Sequence, residues 1–280
     1  MRTLGKLLLA ALSALAAIPA LAADLPTKKE APAPLVTPAL PPVWRFELTA
    51  YGWASSVAGN SGFGGLPTLP FYASFGKVLE HLDGALMGSI VAHNDTFIAG
   101  LDLMWSRIGG GGTFRDPDSA LYGVNADLTL TTGVATAFGG VRVPLGIPNL
   151  ELYGTVGARY MYSENKLTLQ APVAGFQTTD TANKGWVNPV AGFAAHYAFN
   201  DRWYMNVLGD LGGWSQSATG QGLATIGYNW TPQISTTLGY RVMYNYEKQD
   251  SGFSYATFQP KSFRFQEWMY GPLIGFKYGF

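Results

Sequence analysis

The chain contains no cysteine, and that absence removes three chemistries at once: a disulfide framework, a cysteine-ligated zinc site and a thiol nucleophile. Charge is also scarce, at 13% of residues against about 25% in an ordinary soluble domain. The 18 basic residues are matched by 18 acidic ones, so no basic field exists to hold nucleic-acid phosphates. Histidine occurs three times, which confines imidazole chemistry to His81, His93 and His196. What stands in place of charge is glycine, 35 of 280 residues, and aromatic side chains, 14%. At 48% apolar residues this is not the composition of a disordered polymer. Such a surplus of glycine and rings over charge implies a surface that faces something other than water.

The N-terminus has the three parts of an export leader. Arg2 and Lys6 make a short basic start, Leu7 to Ala17 is apolar, and Ala20-Leu21-Ala22 is a small-x-small cleavage site. Residues 1–22 are therefore expected to be removed, leaving 16 basic against 18 acidic residues. Residues 23–43 follow with six prolines (Pro26, Pro32, Pro34, Pro38, Pro41 and Pro42) and are expected to form an extended linker.

No later segment reads as a membrane helix. Residues 211–240 lack charge, but they are rich in Gly, Ser, Thr and Gln and contain Pro232. The governing period is 2. Ile234, Thr236, Leu238, Tyr240, Val242, Tyr244 and Tyr246 alternate with Ser235, Thr237, Gly239, Arg241, Met243, Asn245 and Glu247. Similar alternation marks 44–55, 84–93, 96–107, 125–143, 150–163, 186–199, 202–214, 220–230 and 264–280, which makes ten strands, with eight or twelve as the neighbouring counts. Strands of 10 to 14 residues are long for a soluble sheet and suit a tilted bilayer crossing, which takes about 9 to 11.

The connections alternate as well. Those at 93–95, 144–149, 200–201 and 231–233 are short, whereas 56–83, 108–124, 163–185 and 248–261 are long, with 215–219 a shorter exception. Aromatics on the outward parity gather at both strand ends: Trp44, Phe46, Trp203, Tyr228 and Phe280 near the short turns, Trp105, Tyr160, Tyr244 and Trp268 near the long loops. Two aromatic belts and short turns opposite long loops describe a transmembrane, antiparallel, up-and-down β-barrel over 44–280, with periplasmic turns and extracellular loops. One strand conflicts with this pattern: Leu128, Leu130 and Val134 share a parity opposite to that of Val141 and Val143. A bulge at Gly139-Gly140 would restore the phase and turn Arg142 inward.

The closing run Phe276-Lys277-Tyr278-Gly279-Phe280 resembles the C-terminal signature of bacterial outer-membrane barrels. There, alternate aromatics, here Phe276, Tyr278 and Phe280, are read by the assembly machinery. Ala22-Ala23-Asp24-Leu25-Pro26 is similar to the mature start of opacity-like small barrels of alphaproteobacterial type. Segments such as Trp44–Trp53, Gly239-Tyr240-Arg241 and Gly271–Gly275 resemble a largely uncharacterised porin-like barrel family. The resemblance implies residence in the outer membrane, among its lipid and lipopolysaccharide. It implies little about activity.

Inward charges fall into two layers. Asp102, Arg159, Asp210 and Arg241 lie midway up their strands, where they make either a salt-bridged filling or the constriction of a narrow pore. Glu47, Arg142, Glu151, His196 and Lys277 lie lower, with Arg45. Inward glycines (Gly100, Gly157, Gly192, Gly212, Gly227, Gly239 and Gly275) lower the bulk and favour some water-filled space. The expected function is a non-enzymatic structural barrel or narrow porin-like channel for small solutes. The alternatives are an outer-membrane lipid-modifying enzyme and a surface adhesin. For the enzyme, His81 beside Glu80 and Asp83 is the one histidine at the long-loop end; for the adhesin, Phe253, Tyr255 and Phe258 are the candidate loop tips. His81 also belongs to a short helical pattern, Phe75, Val78, Leu79 and Leu82 after Ser74, suited to the membrane interface or to a lid. Ser74-Phe75-Gly76-Lys77 matches an S-x-x-K pattern without its partner motifs. Asp116, Asp118 and Ser119 read as solvated loop residues, so no metal or cofactor is expected.

Overall fold

A computed structural model describes residues 43–63, 69–113, 123–171, 175–254 and 259–280. The expected leader, nearly all of the linker, the Asp116/Asp118 loop, Tyr255 and Phe258 lie outside the described residues, as does the side chain of Phe253. The period-2 segments pair with their sequence neighbours in antiparallel register and close on themselves.

The wall begins with β1 (Arg45–Trp53), which pairs with both β4 (Leu82–His93) and the last strand, β12 (Gln259–Gly279). Between them run β5 (Phe97–Thr113), β6 (Asn125–Arg142), β7 (Leu150–Ala171), β8 (Phe176–Ala198), β9 (Trp203–Trp214), β10 (Ser217–Asn229) and β11 (Ile234–Ser254). That is ten wall positions. Phe46 and Phe280 seal the closure by exchanging backbone hydrogen bonds of 3.0 and 2.9 Å. Phe276, Tyr278 and Phe280 project outward from the closing strand.

Three short turns share one device. Asn94 Oδ1 accepts from the backbone N–H groups of Thr96 and Phe97, and Asn200 Oδ1 from those of Arg202 and Trp203. Thr231 Oγ1 does the same for Gln233 and Ile234. A short polar side chain bonding two and three residues ahead reverses the chain without leaving its N–H groups bare.

At the opposite end the strands run further than their apolar alternation. β7 and β8 stay paired from Ser163–Lys184 to Ala171–Phe176, and β11 with β12 to Ser254–Gln259, inside segments expected as loops. Above a bilayer both faces meet water, so the ladder continues while the apolar signal lapses, as in Glu164-Asn165-Lys166.

The expected bulge at Gly139-Gly140 is absent. β5 and β6 keep one register from Phe97–Val141 to Thr113–Asn125. Arg142 still reaches the inner side, because Val141 and Val143 set the outward phase and Val134, 3% exposed, points into the lumen. The conflict arose from treating Val134 as lipid-facing.

The first long connection is a second ladder. β2 (Ser56–Phe63) continues β1 in the same register on β12: Trp53 faces Leu273 and Ser56 faces Tyr270. The ladder lapses at Ala54-Ser55, opposite Pro272, which has no N–H to give. β3 (Leu69–Ala73) returns along β2, with Val57 opposite Ala73, whereas β1 pairs with β4 as Ala50 opposite Gly88. These registers differ by eight residues, the length of 74–81, which holds the helix α1 (Phe75–Glu80). Ser74 precedes it but makes no side-chain cap.

Deleting 74–81 therefore aligns both registers into one hairpin. The deletion variant is expected to refold to a barrel whose electrophoretic migration still changes on heating; loss of that change would disprove the alignment.

Candidate functional site: the barrel lumen

The four mid-height charges meet. Arg241 Nη2 donates to Asp102 Oδ2 at 2.6 Å, and Arg159 Nη2 donates to both Asp210 oxygens at 2.9 and 2.8 Å. Gln221 joins the two pairs, accepting from Arg241 at 2.6 Å and donating to Asp210 at 2.6 Å. Tyr51 donates to Asp102 at 2.7 Å and accepts from Arg241 at 2.9 Å, while Arg159 also reaches Thr136 and Thr219. The network spans strands β1, β5, β6, β7, β9, β10 and β11. Both guanidinium side chains are buried, Arg159 at 0% and Arg241 at 3% exposure. Charges that far from water are tolerable only when each finds an opposite charge and further hydrogen bonds. Gln221 and Tyr51, which complete the arrangement, carry no charge to draw attention in the sequence.

The lower charges pair locally. Lys277 Nζ lies 2.8 Å from Glu47 and 4.4 Å from the centre of the Tyr204 ring. Glu151 is approached by Arg45 at 3.3 Å, His93 at 3.6 Å and Tyr153 at 3.4 Å. His196 Nδ1 is 2.8 Å from Asn206 Oδ1, and Arg142 meets Asp95 at the rim at 3.8 Å. Most of these lower groups, with Tyr51, Asp102, Thr136, Gln221 and Arg241 of the mid-height network, line a cavity of about 610 Å³ that reaches the short-turn end beside Arg45, Gln233 and Phe280.

Above the network the lumen changes character. Trp53, Met104, Val134, Met161, Trp186, Met243, Phe265, Met269 and Leu273 form one buried apolar cluster, with Met87 packed against it. Unbranched methionine fills irregular gaps from several sides at once. On three of the rising strands, β5, β7 and β11, the methionine is the next inward residue after the charge: Asp102 then Met104, Arg159 then Met161, Arg241 then Met243. That signal is present in the sequence, where Met243 falls among the mostly polar alternate positions of its strand. A second cavity of about 520 Å³ lies at the long-loop end against Lys184, Trp214 and Glu247, and shares no lining residue with the first.

Two of the inward glycines make room for rings, not for water. Gly100 sits opposite Phe138, and a methyl group there would come within 2.4 Å of that ring. Gly227 sits opposite Tyr204, where the clearance would be 2.1 Å.

His81 at the long-loop end is not joined to its neighbouring acids. Its Nδ1 lies 3.0 Å from the Lys77 carbonyl, Glu80 pairs with Lys77 and Asp83 with Arg107. Among the described residues no group of three or more His, Asp or Glu side chains is arranged to hold a metal.

No protein-family profile and no curated protein matches the sequence. In three dimensions the chain is similar to the outer-membrane protease OmpT of Escherichia coli, with a TM-score of 0.58. The two are 10% identical, over 88% of this chain and 99% of that one. The fold is that of an outer-membrane β-barrel. At such identity the likeness extends to architecture and not to proteolysis. The chain is more distantly similar to the translocator domain of the autotransporter NalP from Neisseria meningitidis (TM-score 0.40, 12% identity, 83% and 88% of the two chains). It is similar, too, to the attachment invasion protein Ail of Yersinia pestis (TM-score 0.31, 13%, 84% and 98%).

Asp210→Asn or Arg159→Met alone is expected to destabilise the folded barrel by about 3–5 kcal/mol, because each strands a buried charge. The double variant Arg159→Met/Asp210→Leu should recover much of that loss. Urea-unfolding midpoints in lipid vesicles measure both.

Proposed function

We propose that this chain is an integral outer-membrane protein whose barrel is structural and closed to solutes, and neither an open pore nor an enzyme. The observation that carries this reading is the buried apolar cluster, which adjoins a charge network whose arginines and aspartates are paired with one another. A conducting constriction needs polar groups left free to exchange with ions or water; here the arginines and aspartates are already bound to one another. In this reading the leader at 1–22 exports the chain and the short turns face the periplasm. Outer-membrane lipid and lipopolysaccharide surround the two aromatic belts. Phe276, Tyr278 and Phe280, on the strand that closes the wall, are the residues offered to the assembly machinery. The non-catalytic part rests on His81, whose acidic neighbours are engaged by Lys77 and Arg107.

A second reading, a surface interaction protein, is favoured by the projecting hairpins. The nine residue pairs from Ser163–Lys184 to Ala171–Phe176 make a ribbon about 30 Å long at roughly 3.3 Å per residue. Excising 164–183 should then abolish cell-surface binding of a partner while the barrel still folds.

For the leading reading, planar bilayers holding the wild-type protein should show no conductance steps. Met161→Ala/Met243→Ala, which thins the apolar layer, should introduce them. Reproducible steps from the wild type would overturn the closed-barrel reading.

A further inference from the structure

The helix α1 has no role in the lumen, and its position is fixed by two backbone contacts. Because β1 and β2 hold one register against β12, parity is continuous from Trp53 to Val57. Trp53 and Ser55 are buried and Val57 packs on the apolar layer, so Ser56 faces outward. Phe75 N donates to Ser56 Oγ at 3.0 Å, which starts α1 on the outer face of the wall and not over the mouth. Just past the helix, the His81 carbonyl accepts from Gly109 N at 2.8 Å, tying that end to β5.

Between these anchors the wall has a seam. The β1–β4 ladder stops at Ala50 opposite Gly88, and from Leu82 to Met87 β4 pairs with β5 alone. At its far end, eight residues beyond Ala50, the seam meets the outward aromatic belt: Tyr244, Trp268, Ala58 and Tyr72 form one cross-strand row there. At 3.6 residues per turn Phe75, Val78 and Leu79 share one side of α1, and Lys77 and Glu80, 3.7 Å apart, occupy the other. No residue of the helix is buried; Phe75 is 38% and Leu79 56% exposed. An apolar edge left bare by the protein, on the outer face and in line with the belt, matches the acyl–headgroup boundary of a bilayer.

We propose that α1 is a membrane anchor, laying its Phe75–Leu79 edge in the outer-leaflet lipid across the seam between β1 and β4. The partner is lipid at the acyl–headgroup boundary, and the polar edge with Lys77 and Glu80 faces water.

The natural absence of cysteine makes the test direct. Phe75→Cys, Lys77→Cys and Leu79→Cys, each in the full chain, are labelled with a nitroxide and refolded into phosphatidylcholine vesicles. Heat-dependent migration verifies that each barrel is folded. Collision with lipid-soluble oxygen, relative to a water-soluble nickel complex, should be several-fold higher at 75 and 79 than at 77. Equal nickel access at all three positions would make α1 a solvated arm and overturn the proposal. Shielding of 75 and 79 from both quenchers would make it a lid packed into the mouth, and would overturn it equally.

Discussion

Every peptide group carried into hydrocarbon must find its hydrogen-bond partner within the chain, since lipid offers none. A sheet meets that demand only by closing, and the closure here runs through the pairing of β1 with β12, ending in the reciprocal bonds of Phe46 and Phe280. Much else follows from it. Closure fixes an inside and an outside, and a strict period of 2 then assigns every residue to one of them. The outside accepts Leu, Val and Ile between rows of Trp, Tyr and Phe. The inside receives the charges.

An inside only ten strands around leaves little room for water, which sets the terms for those charges. A guanidinium at 0% exposure cannot rely on solvent, so Arg159 donates two bonds to one carboxylate and others to Thr136 and Thr219. Arg241 is held likewise by Asp102, Tyr51 and Gln221. Once the charges are paired with one another, the space above them takes mainly apolar side chains, with Asn245 and Glu267 also buried there, and the space below remains a cavity. A mid-height belt of ion pairs thus crosses the lumen between the apolar cluster and the lower cavity. The one place where wall pairing lapses within the β1–β4 ladder is also where a helix lies against the outer face.

The sheet architecture was legible because lipid enforces alternation so strictly. Ten wall strands, the short turns and the two aromatic belts could be read from runs such as Ile234 to Glu247. Strand ends were less legible. Beyond the belts the alternation loses its physical cause, so β7, β8, β11 and β12 continue where the pattern stops. Val134 misled for a related reason: an apolar residue is at home in lipid and equally in a packed lumen, and period alone does not distinguish them. Gly100 and Gly227 misled likewise, since a missing side chain leaves space that Phe138 or Tyr204 fills from the neighbouring strand.

The amino-acid sequence by itself determined the class of protein, the parity of nearly every strand and the mid-height position of Asp102, Arg159, Asp210 and Arg241. These are local properties, set by a period of 2 and by distance from the turns. Only the tertiary structure decided which charge meets which, that Gln221 and Tyr51 join the pairs, that methionines pack above them, and that α1 starts on the outer face of the wall. Those outcomes depend on contacts across the barrel between residues as far apart as Tyr51 and Arg241, 190 positions along the chain. No periodicity along the chain encodes a distance across it.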